Sequence, residues 1–349
     1  MKTSHIALLF AAVIALCSCG GKKKSYDETA LSGLTTRTEN LKTNIKAYAS
    51  KGTIVGQLNG TLEGIGWQCD SDRSDIQTIC GDRPAAVGYE LAGIENAKKQ
   101  NAEGLAFDAI RKDVLKNFRR GALVTLTWTA PDYKGSDDML KQYAKSVATF
   151  INSLHDEYEI KAPVVLFLYP LNGTSWYCKL TADDYKALYT KTQDLLEDEG
   201  VNNVVYGYSE SYPSANFLER YPDNDIDVVN VSILQKKEAA NLDEYKRLIN
   251  ESTTRALPFA QEHNCAYGMI TGMEGLSATG IFSEAVLPLI KNHRLSYIMF
   301  GANHGDFKDG HFYTPYPGEG NEHIQEFMQL YNDETTVFMK SLNGLYLAH

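Results

Sequence analysis

The stretch APVVLFLYPLNGTSWYC, residues 162–178, determines the architecture that the rest of the chain repeats. It begins as an apolar run that is typical of a strand buried on both faces, and at Pro170 it changes into a polar and aromatic loop. A buried parallel strand delivers such a loop to one edge of its sheet. We therefore expect residues 162–178 to contribute to a binding face.

Eight β-type runs of this kind can be marked, and helical patterns lie between most of them. The runs are 53–58, 85–91, 123–128, 164–169, 204–208, 228–234, 267–273 and 296–300. The helical patterns are 101–120, 137–157, 182–199, 241–263, 283–293 and 323 to about 345. This order predicts right-handed parallel units, and eight of them close a (β/α)₈ barrel of the α/β class, the TIM barrel.

A doubly wound open sheet is the competing architecture. It would require a glycine-rich phosphate loop after the first strand. The chain has Leu58-Asn59-Gly60-Thr61 at that point, which does not supply one. The closed barrel is therefore the prediction, and none of the helical patterns indicates a cofactor site.

The N-terminus predicts export. Lys2 is followed by an apolar run, residues 6–16, that is too short to span a bilayer, and then by Leu16-Cys17-Ser18-Cys19. This pattern resembles a bacterial lipobox, so we expect residues 1–18 to be a lipoprotein signal peptide and Cys19 to carry the lipid. An ordinary cleaved signal remains the alternative. Residues 19–40 would be a tether to the outer membrane, on its periplasmic face or at the cell surface, and 41–349 the barrel.

Composition narrows the classes of partner. The net charge is −10 and no cluster of Lys or Arg follows the tether, which argues against nucleic acid. No Cys/His spacing resembles a zinc site, and His304 with His311 is interpreted as loop polarity and not as a metal pair. Cys69 and Cys80 flank one short loop and could form a disulfide. No metal and no cofactor are predicted.

The carboxyl ends of the predicted strands are rich in aromatic and neutral polar residues. All three tryptophans are placed there, and flat apolar rings beside hydroxyl and amide groups suit a sugar ring. A polysaccharide or oligosaccharide is therefore the predicted ligand class. The candidate binding residues are Trp67, Trp128, Tyr169, Asn172, Trp176, Tyr208 and Phe300.

From about Asn40 onward the chain resembles glycoside hydrolase family 26, the β-mannanase family, in the form found on lipoproteins of gut Bacteroidetes. The segments that carry the resemblance are RPAAVGYELAGIE at 83–95, residues 122–128, residues 206–209 with Arg220-Tyr221-Pro222, and the C-terminal HFYTPYPG at 311–318. The resemblance implies a (β/α)₈ barrel and a retaining mechanism. Two glutamates perform that mechanism, an acid/base on strand four and a nucleophile on strand seven.

The active-site motifs depart from the family pattern. With Gly173 as the anchor, the family's acid/base position is Pro170, which carries no proton. The histidine of strand three is replaced by Thr129 and the aspartate of strand six by Ser232. The Trp-Arg-Asn of strand eight reads Phe300-Gly301-Ala302.

Strand seven allows two alignments of the nucleophile. Anchored on Thr271, the nucleophile position is Gly272; anchored on Gly275, it is Glu274. Residues 272 and 274 share a face of the strand, so Glu274 could point into the mouth about 7 Å further out. Glu274 is therefore the candidate nucleophile, and Glu90 or Glu210 could form a new carboxylate pair with it.

These losses predict a barrel that engages a mannan-type or related glycan with impaired or lost hydrolysis. Two alternatives stay open: an active, retaining endo-mannosidase that uses Glu274, and a structural subunit of a glycan-uptake complex that meets other uptake proteins. An enzymatic role is thus undecided at this point.

Overall fold

The computed structural model describes residues 29–30, 32–70, 72–131 and 133–348. The predicted signal peptide and Cys19 lie outside the described residues. Among these, no helix combines the length and the apolar character that crossing a bilayer requires.

Eight parallel strands form a closed barrel, as the sequence predicted. They are β1 (Thr53–Leu58), β2 (Ala86–Glu90), β3 (Leu123–Trp128), β4 (Val164–Leu168), β5 (Val204–Ser211), β6 (Val228–Gln235), β7 (Ala266–Met273) and β8 (Tyr297–Phe300). Neighbours in sequence pair in parallel, and β1 closes the ring on β8 with Ile54 opposite Tyr297. A two-residue strand, Thr336–Val337, adds to the amino-terminal part of β1, and a short hairpin joins Glu63–Gly64 to Trp67–Gln68.

The helices surround the barrel. They are α1 (Thr36–Tyr48), α2 (Asp75–Cys80), α3 (Phe107–Arg120), α4 (Asp137–Asn152), α5 (Ala182–Asp198), α6 (Leu242–Glu262), α7 (Leu287–Asn292) and α8 (Asn321–Asn332). Single 3₁₀ turns occur at Ile94–Asn96, Trp176–Lys179, Lys237–Ala239 and Glu274–Leu276, and a π-helical turn at Ile281–Val286 precedes α7.

The core has two parts because side chains alternate along each strand. One set points into the barrel, for example Phe167 and Tyr297, whose rings occupy the space beside Gly207 and Gly268. The other set points outward and packs under the surrounding helices. Helix α1 closes the amino-terminal end of the barrel with the buried residues Leu41, Ile45 and Tyr48.

Three of the predicted helices have wrong ends. The pattern at 101–120 becomes helical only at Phe107, because the Asn101 side chain accepts hydrogen bonds from the backbone N–H groups of Glu103 and Leu105 and so holds a turn. The pattern at 137–157 ends at Asn152. The last helix ends at Asn332 and not near residue 345, since the chain then turns back to pair Thr336–Val337 with β1.

The predicted boundary between tether and barrel at residue 40 falls inside α1. The helix begins at Thr36, and the N–H of Thr35 donates to the carbonyl of Asn202. The part of the chain that packs on the barrel therefore starts before residue 41. The cysteines at 69 and 80 are both free in this structure, Cys69 exposed and Cys80 buried with its thiol directed at the carbonyl of Ile76.

Candidate functional site

A cavity of about 300 Å³ opens at the carboxyl-terminal end of the barrel, and we call it the mouth cavity. Its wall comes from the ends of β1 to β7 and carries hydroxyl, amide and carboxyl groups, with no Lys, Arg or His among the described residues that line it. The lining residues are Leu58, Asn59, Gly88, Tyr89, Glu90, Glu103, Thr127, Thr129, Pro170, Leu171, Asn172, Ser209, Ser211, Ser232, Leu234 and Ile270.

Glu90, at the end of β2, is the half-buried carboxyl group of the mouth cavity. Its Oε1 accepts hydrogen bonds from the backbone N–H groups of Leu91 and Ala92, at 3.0 and 2.8 Å, and a longer one from the Thr129 hydroxyl. Burial raises the pKa of Glu90 to about 8, and the nearby charge of Glu103 acts in the same direction. Glu90 is therefore protonated at neutral pH and presents an uncharged acid to the cavity.

Glu103 is the second acidic residue of the mouth cavity, and it lies on the exposed rim. Its Oε2 accepts from the Asn59 amide at 2.9 Å, and the same amide donates to Glu63 at 2.8 Å. The cavity thus contains one half-buried carboxyl at the end of β2 and one exposed carboxyl from the segment that follows β2. Glu103 was not among the predicted site residues, because nothing in the local sequence distinguishes it from an ordinary loop residue.

Tyr313 fills the part of the barrel end above β7 and β8. Gly272 has a φ of +146°, and a Cβ at that position would lie 2.8 Å from Cδ1 of Tyr313. Gly301, at the end of β8, faces the other edge of the same ring. The space that a side chain at residue 272 would occupy is therefore taken by an aromatic ring, which the pair of glycines at matching strand ends could have indicated.

Glu274, the candidate nucleophile, is not among the residues that line the mouth cavity. It follows the last residue of β7 in a 3₁₀ turn, and its carboxylate is hydrogen-bonded to Nδ1 of His311. Burial acts to raise the pKa of Glu274, but the hydrogen bond and charge of His311 together hold it below its usual value. Because β7 ends at Met273, Glu274 no longer follows the alternation of side chains along the strand. Its side chain therefore does not point into the mouth, where the sequence had predicted it to lie.

Glu210 is also turned away from the mouth cavity. It is 2% exposed, and its oxygens accept from the hydroxyls of Tyr208 and Ser214 and from the N–H of Leu218. It lies in a neighbouring pocket of about 310 Å³ that shares Leu171, Asn172 and Ser211 with the mouth. The proposed pairing of Glu274 with Glu90 or Glu210 is therefore wrong, because only Glu90 faces the cavity.

Five of the predicted sugar-stacking rings are buried, and this part of the prediction is wrong. Trp128, Tyr169, Tyr208 and Phe300 are fully buried, and Trp67 is 7% exposed. Their polar atoms have protein partners: the indole N–H of Trp67 donates to Asp75 and that of Trp128 to Glu95, while the hydroxyls of Tyr169 and Tyr208 bond Thr192 and Glu210. Phe300 packs between Phe282 and Phe327.

The alternation of side chains explains the burial. On β3, Thr127 and Thr129 line the mouth cavity, so Trp128 between them points to the helices. On β5, Ser209 and Ser211 line it, so Tyr208 points outward in the same way. The polar residues at alternate strand positions indicate which side chains line the mouth. The aromatic residues next to them belong to the core.

Asn172 and Trp176 lie in the loop after β4, as the sequence suggested. Asn172 is exposed and lines the mouth cavity, and its Oδ1 accepts from the N–H groups of Thr174 and Ser175. Trp176 is half-buried against Tyr133 and Tyr169, with its indole N–H bonded to the carbonyl of Ala130. Of the seven candidate binding residues, only Asn172 lines the cavity.

Three positions singled out by the resemblance do line the mouth cavity. They are Pro170, Thr129 and Ser232, where the family pattern places the acid/base, a histidine and an aspartate. Among the described residues, no group of three or more His, Cys, Asp or Glu side chains is arranged to hold a metal ion. The mouth therefore offers hydrogen-bonding groups, one half-buried acid and one exposed acid.

Comparison with known proteins supports the family resemblance. The model of glycosyl hydrolase family 26 matches residues 130–281. A family 26 β-mannanase from Bacteroides ovatus is 26% identical, with a TM-score of 0.82 over 90% of this chain and 98% of that one. GH26C from Muricauda sp. MAR_2010_75 is 20% identical, with a TM-score of 0.76 over 90% of this chain and 94% of that one.

The catalytic domain of an endo-β-1,4-mannanase from Bacillus sp. JAMB-750 is 21% identical, with a TM-score of 0.75 over 92% of this chain and 95% of that one. The two structures that are less than 25% identical show the shared barrel, while the family model adds a match in sequence. The resemblance to glycoside hydrolase family 26 is therefore confirmed, by sequence over residues 130–281 and by fold over nine-tenths of the chain.

Proposed function

We propose that this protein is an exported, lipid-anchored barrel that binds a mannan-type or related polysaccharide at the mouth cavity, with hydrolysis impaired or lost. The observation that carries the proposal is the composition of the cavity wall. Pro170 stands where the resemblance requires the proton donor, while hydroxyl and amide groups remain around it. A wall of this kind can hydrogen-bond sugar hydroxyls.

The arrangement of carboxyl groups supports loss of catalysis. Retaining hydrolysis requires two carboxyl groups about 5–5.5 Å apart on either side of the scissile bond, and inverting hydrolysis about 6.5–9.5 Å. Tyr313 occupies the space of a side chain at residue 272, and Glu274 is bonded to His311 outside the cavity. Removing one member of such a pair costs orders of magnitude in rate.

Hydrolysis is the second candidate, and one observation favours it. Glu90 is protonated at neutral pH because burial raises its pKa to about 8, and a protonated carboxyl is what a general acid needs. In that case the partner would be the rim carboxylate Glu103. A Glu90→Gln variant removes the proton donor without changing the shape of the side chain.

The test combines binding and cleavage in the same samples. The full chain, purified in detergent, is titrated with galactomannan and glucomannan oligosaccharides by calorimetry, and reducing ends are measured afterwards. The proposal predicts heat of binding and no release of reducing ends. Release that Glu90→Gln or Glu274→Gln abolishes would establish an enzyme.

The absence of both binding and release would favour the remaining alternative, a structural subunit that meets other glycan-uptake proteins. The matched control is Asp243→Asn, an exposed carboxylate on α6 that lies outside the mouth cavity. The lipid anchor is tested separately: wild type labelled with a radioactive fatty acid should carry the label, and Cys19→Ala should not.

A further inference from the structure

A second cavity of about 340 Å³ lies at the amino-terminal end of the barrel, between α1, α5 and the loop that joins β5 to β6. We call it the amino-end pocket. It is separate from the mouth, because it lies where β5 begins and not where it ends. Its acidic lining residues are Glu39, Asp194, Glu197, Asp225 and Asp227, and Lys42 is its one lining cation among the described residues.

Only part of this negative charge is compensated. Asp227, which is buried, forms ion pairs with Lys42 at 3.0 Å and with Lys46 at 2.8 Å. Asp225 lies 3.7 Å from the same Lys42 ammonium. Asp194 and Glu197, one turn apart on α5, have no cation within 4 Å among the described residues, and both are exposed. The pocket therefore contains carboxylates without a cation partner in the part of the chain that the structure describes.

The wall also contains an unpartnered buried acceptor. Gln193 is 5% exposed, and its amide nitrogen donates to the carbonyl of Asn224 at 3.4 Å. Its Oε1 has no hydrogen-bond partner, although a buried amide oxygen without a donor costs about 1–3 kcal/mol. A ligand that brings an N–H donor to this oxygen would remove that cost.

Tyr206 lines the amino-end pocket together with the carboxylates. Burial first, followed by the charges of Glu197, Asp225 and Asp194, raises the pKa of Tyr206 well above the usual value. The carboxylates, Gln193 and Tyr206 thus line one pocket. Carboxylate and amide oxygens accept hydrogen bonds, so this wall suits a cation that carries several N–H donors.

We propose that the amino-end pocket is a binding site for a primary ammonium group. Two sources can supply it: a soluble polyamine, or the chain itself, which carries Lys22-Lys23-Lys24 close to the pocket in sequence. Ser32 and Gly33 form part of the pocket wall, and Ser32 is eight positions after Lys24 in the sequence. Such a segment reaches at most about 26–29 Å, which is sufficient to return to the pocket.

The intramolecular source has an advantage in concentration, because a short tether gives an effective concentration in the millimolar range. Binding of this segment would hold the amino-terminal end of the barrel close to residue 22. If Cys19 carries the lipid, a point that rests on the proposed function, the mouth would then face away from the membrane.

The first arm of the test measures the labelling rates of Lys22, Lys23 and Lys24 with an amine-reactive acetylating reagent, by mass spectrometry of the full chain in detergent. Bound lysines should label at least fivefold more slowly in wild type than in an Asp194→Asn/Glu197→Gln variant, and 1 M NaCl should abolish the difference. The control variant is Asp243→Asn/Glu262→Gln, which changes two exposed carboxylates of α6. The salt titration of wild type serves as the test if the double variant does not fold.

The second arm titrates spermidine by calorimetry into the wild type and into a Lys22→Gln/Lys23→Gln/Lys24→Gln variant. Protection of the lysines, with spermidine binding only after their substitution, identifies the chain as the source. Spermidine binding to the wild type that Asp194→Asn/Glu197→Gln abolishes identifies a soluble amine. Equal labelling in all variants together with no spermidine binding would overturn the proposal.

Discussion

The two halves of the barrel mouth differ in what occupies them. The ends of β1 to β6, with Ile270 of β7, leave an open cavity lined by Glu90, Thr129, Asn172 and other residues. The ends of β7 and β8 are covered by the Tyr313 ring, which lies against Gly272 and Gly301. The open half retains groups that can hold a ligand, whereas the closed half has no room for a side chain at residue 272.

This difference matters because a two-carboxylate mechanism draws on opposite sides of the mouth. In the pattern of glycoside hydrolase family 26, the acid/base belongs to strand four and the nucleophile to strand seven. In this chain, those positions are Pro170 and either Gly272 or the displaced Glu274. Binding needs only the open half, whereas catalysis needs both. Loss of the reacting groups can therefore leave binding in place.

The largest effect is expected from Phe300→Ala, which removes part of the core beneath the closed half. Phe300 is fully buried and its ring lies 5.3 Å from that of Phe282, so truncation should cost about 3–5 kcal/mol of unfolding free energy. Urea unfolding measures the change, with Phe307→Ala, 63% exposed, as a nearly neutral control. Glycan affinity should be unchanged; a tenfold loss of affinity at full stability would mean that Phe300 contacts the sugar.

Gly272→Ala should be the next most destabilising change, by about 2–4 kcal/mol, because it combines backbone strain at φ +146° with a clash against Tyr313. Gly173→Ala is the matched control: its φ is +79° and a Cβ there meets nothing within 4 Å, so only strain of about 1 kcal/mol is expected. Adding Tyr313→Ala to Gly272→Ala should relieve the clash and restore the part of the stability that the clash removed. If the two changes are simply additive, Tyr313 does not close this half.

Glu90 makes stability depend on pH. Its pKa in the folded protein is about 8, above the value of about 4.3 expected for an unfolded chain, so the folded state binds the extra proton. The stabilisation is complete below about pH 4 and is lost progressively as the pH rises toward 8. Glu90→Gln keeps an acceptor for Leu91 and Ala92, so it should be more stable than wild type at pH 9 and no more stable at pH 4.

Thermal unfolding of both proteins from pH 4 to pH 9 measures this dependence. Parallel curves for the two proteins would show that Glu90 is ionised at neutral pH and is an ordinary carboxylate of the rim. The control is Glu262→Gln, an exposed carboxylate on α6 that should leave the pH profile unchanged.

The smallest effect is expected in the open half itself. Thr129→Val removes one hydroxyl from the wall of the mouth cavity while it preserves the shape, so glycan affinity should fall about fivefold with little change in stability. Thr254→Val, on the exposed face of α6, is the control. Calorimetry with the same oligosaccharide compares the two, and equal affinities would place the ligand elsewhere.

Much of the fold could be predicted from the sequence, because buried parallel strands form continuous apolar runs between amphipathic helices. All eight strands lie where the runs predicted them, to within a few residues. Helix ends were less predictable, since they depend on side-chain hydrogen bonds such as those of Asn101 and on the late pairing of Thr336–Val337 with β1.

The site was less predictable because residue type does not indicate on which side of a strand a ring lies. Trp128 and Thr129 are neighbours, yet one is core and the other lines the mouth. Tyr313 lies some forty residues after Gly272 and reaches it through a long loop, which no local pattern encodes. Glu90 could be named from its position at a strand end, but its raised pKa follows from burial that only the folded structure defines.

The most direct test of the central claim is an overnight incubation of micromolar protein with a mannan hexasaccharide, followed by mass spectrometry, on a sample whose binding has been shown by calorimetry. If the protein binds glycan without hydrolysing it, the bound hexasaccharide should be recovered intact. Cleavage products that appear with wild type and disappear with Glu90→Gln would contradict this claim, because they would show that the open half alone supplies a working acid.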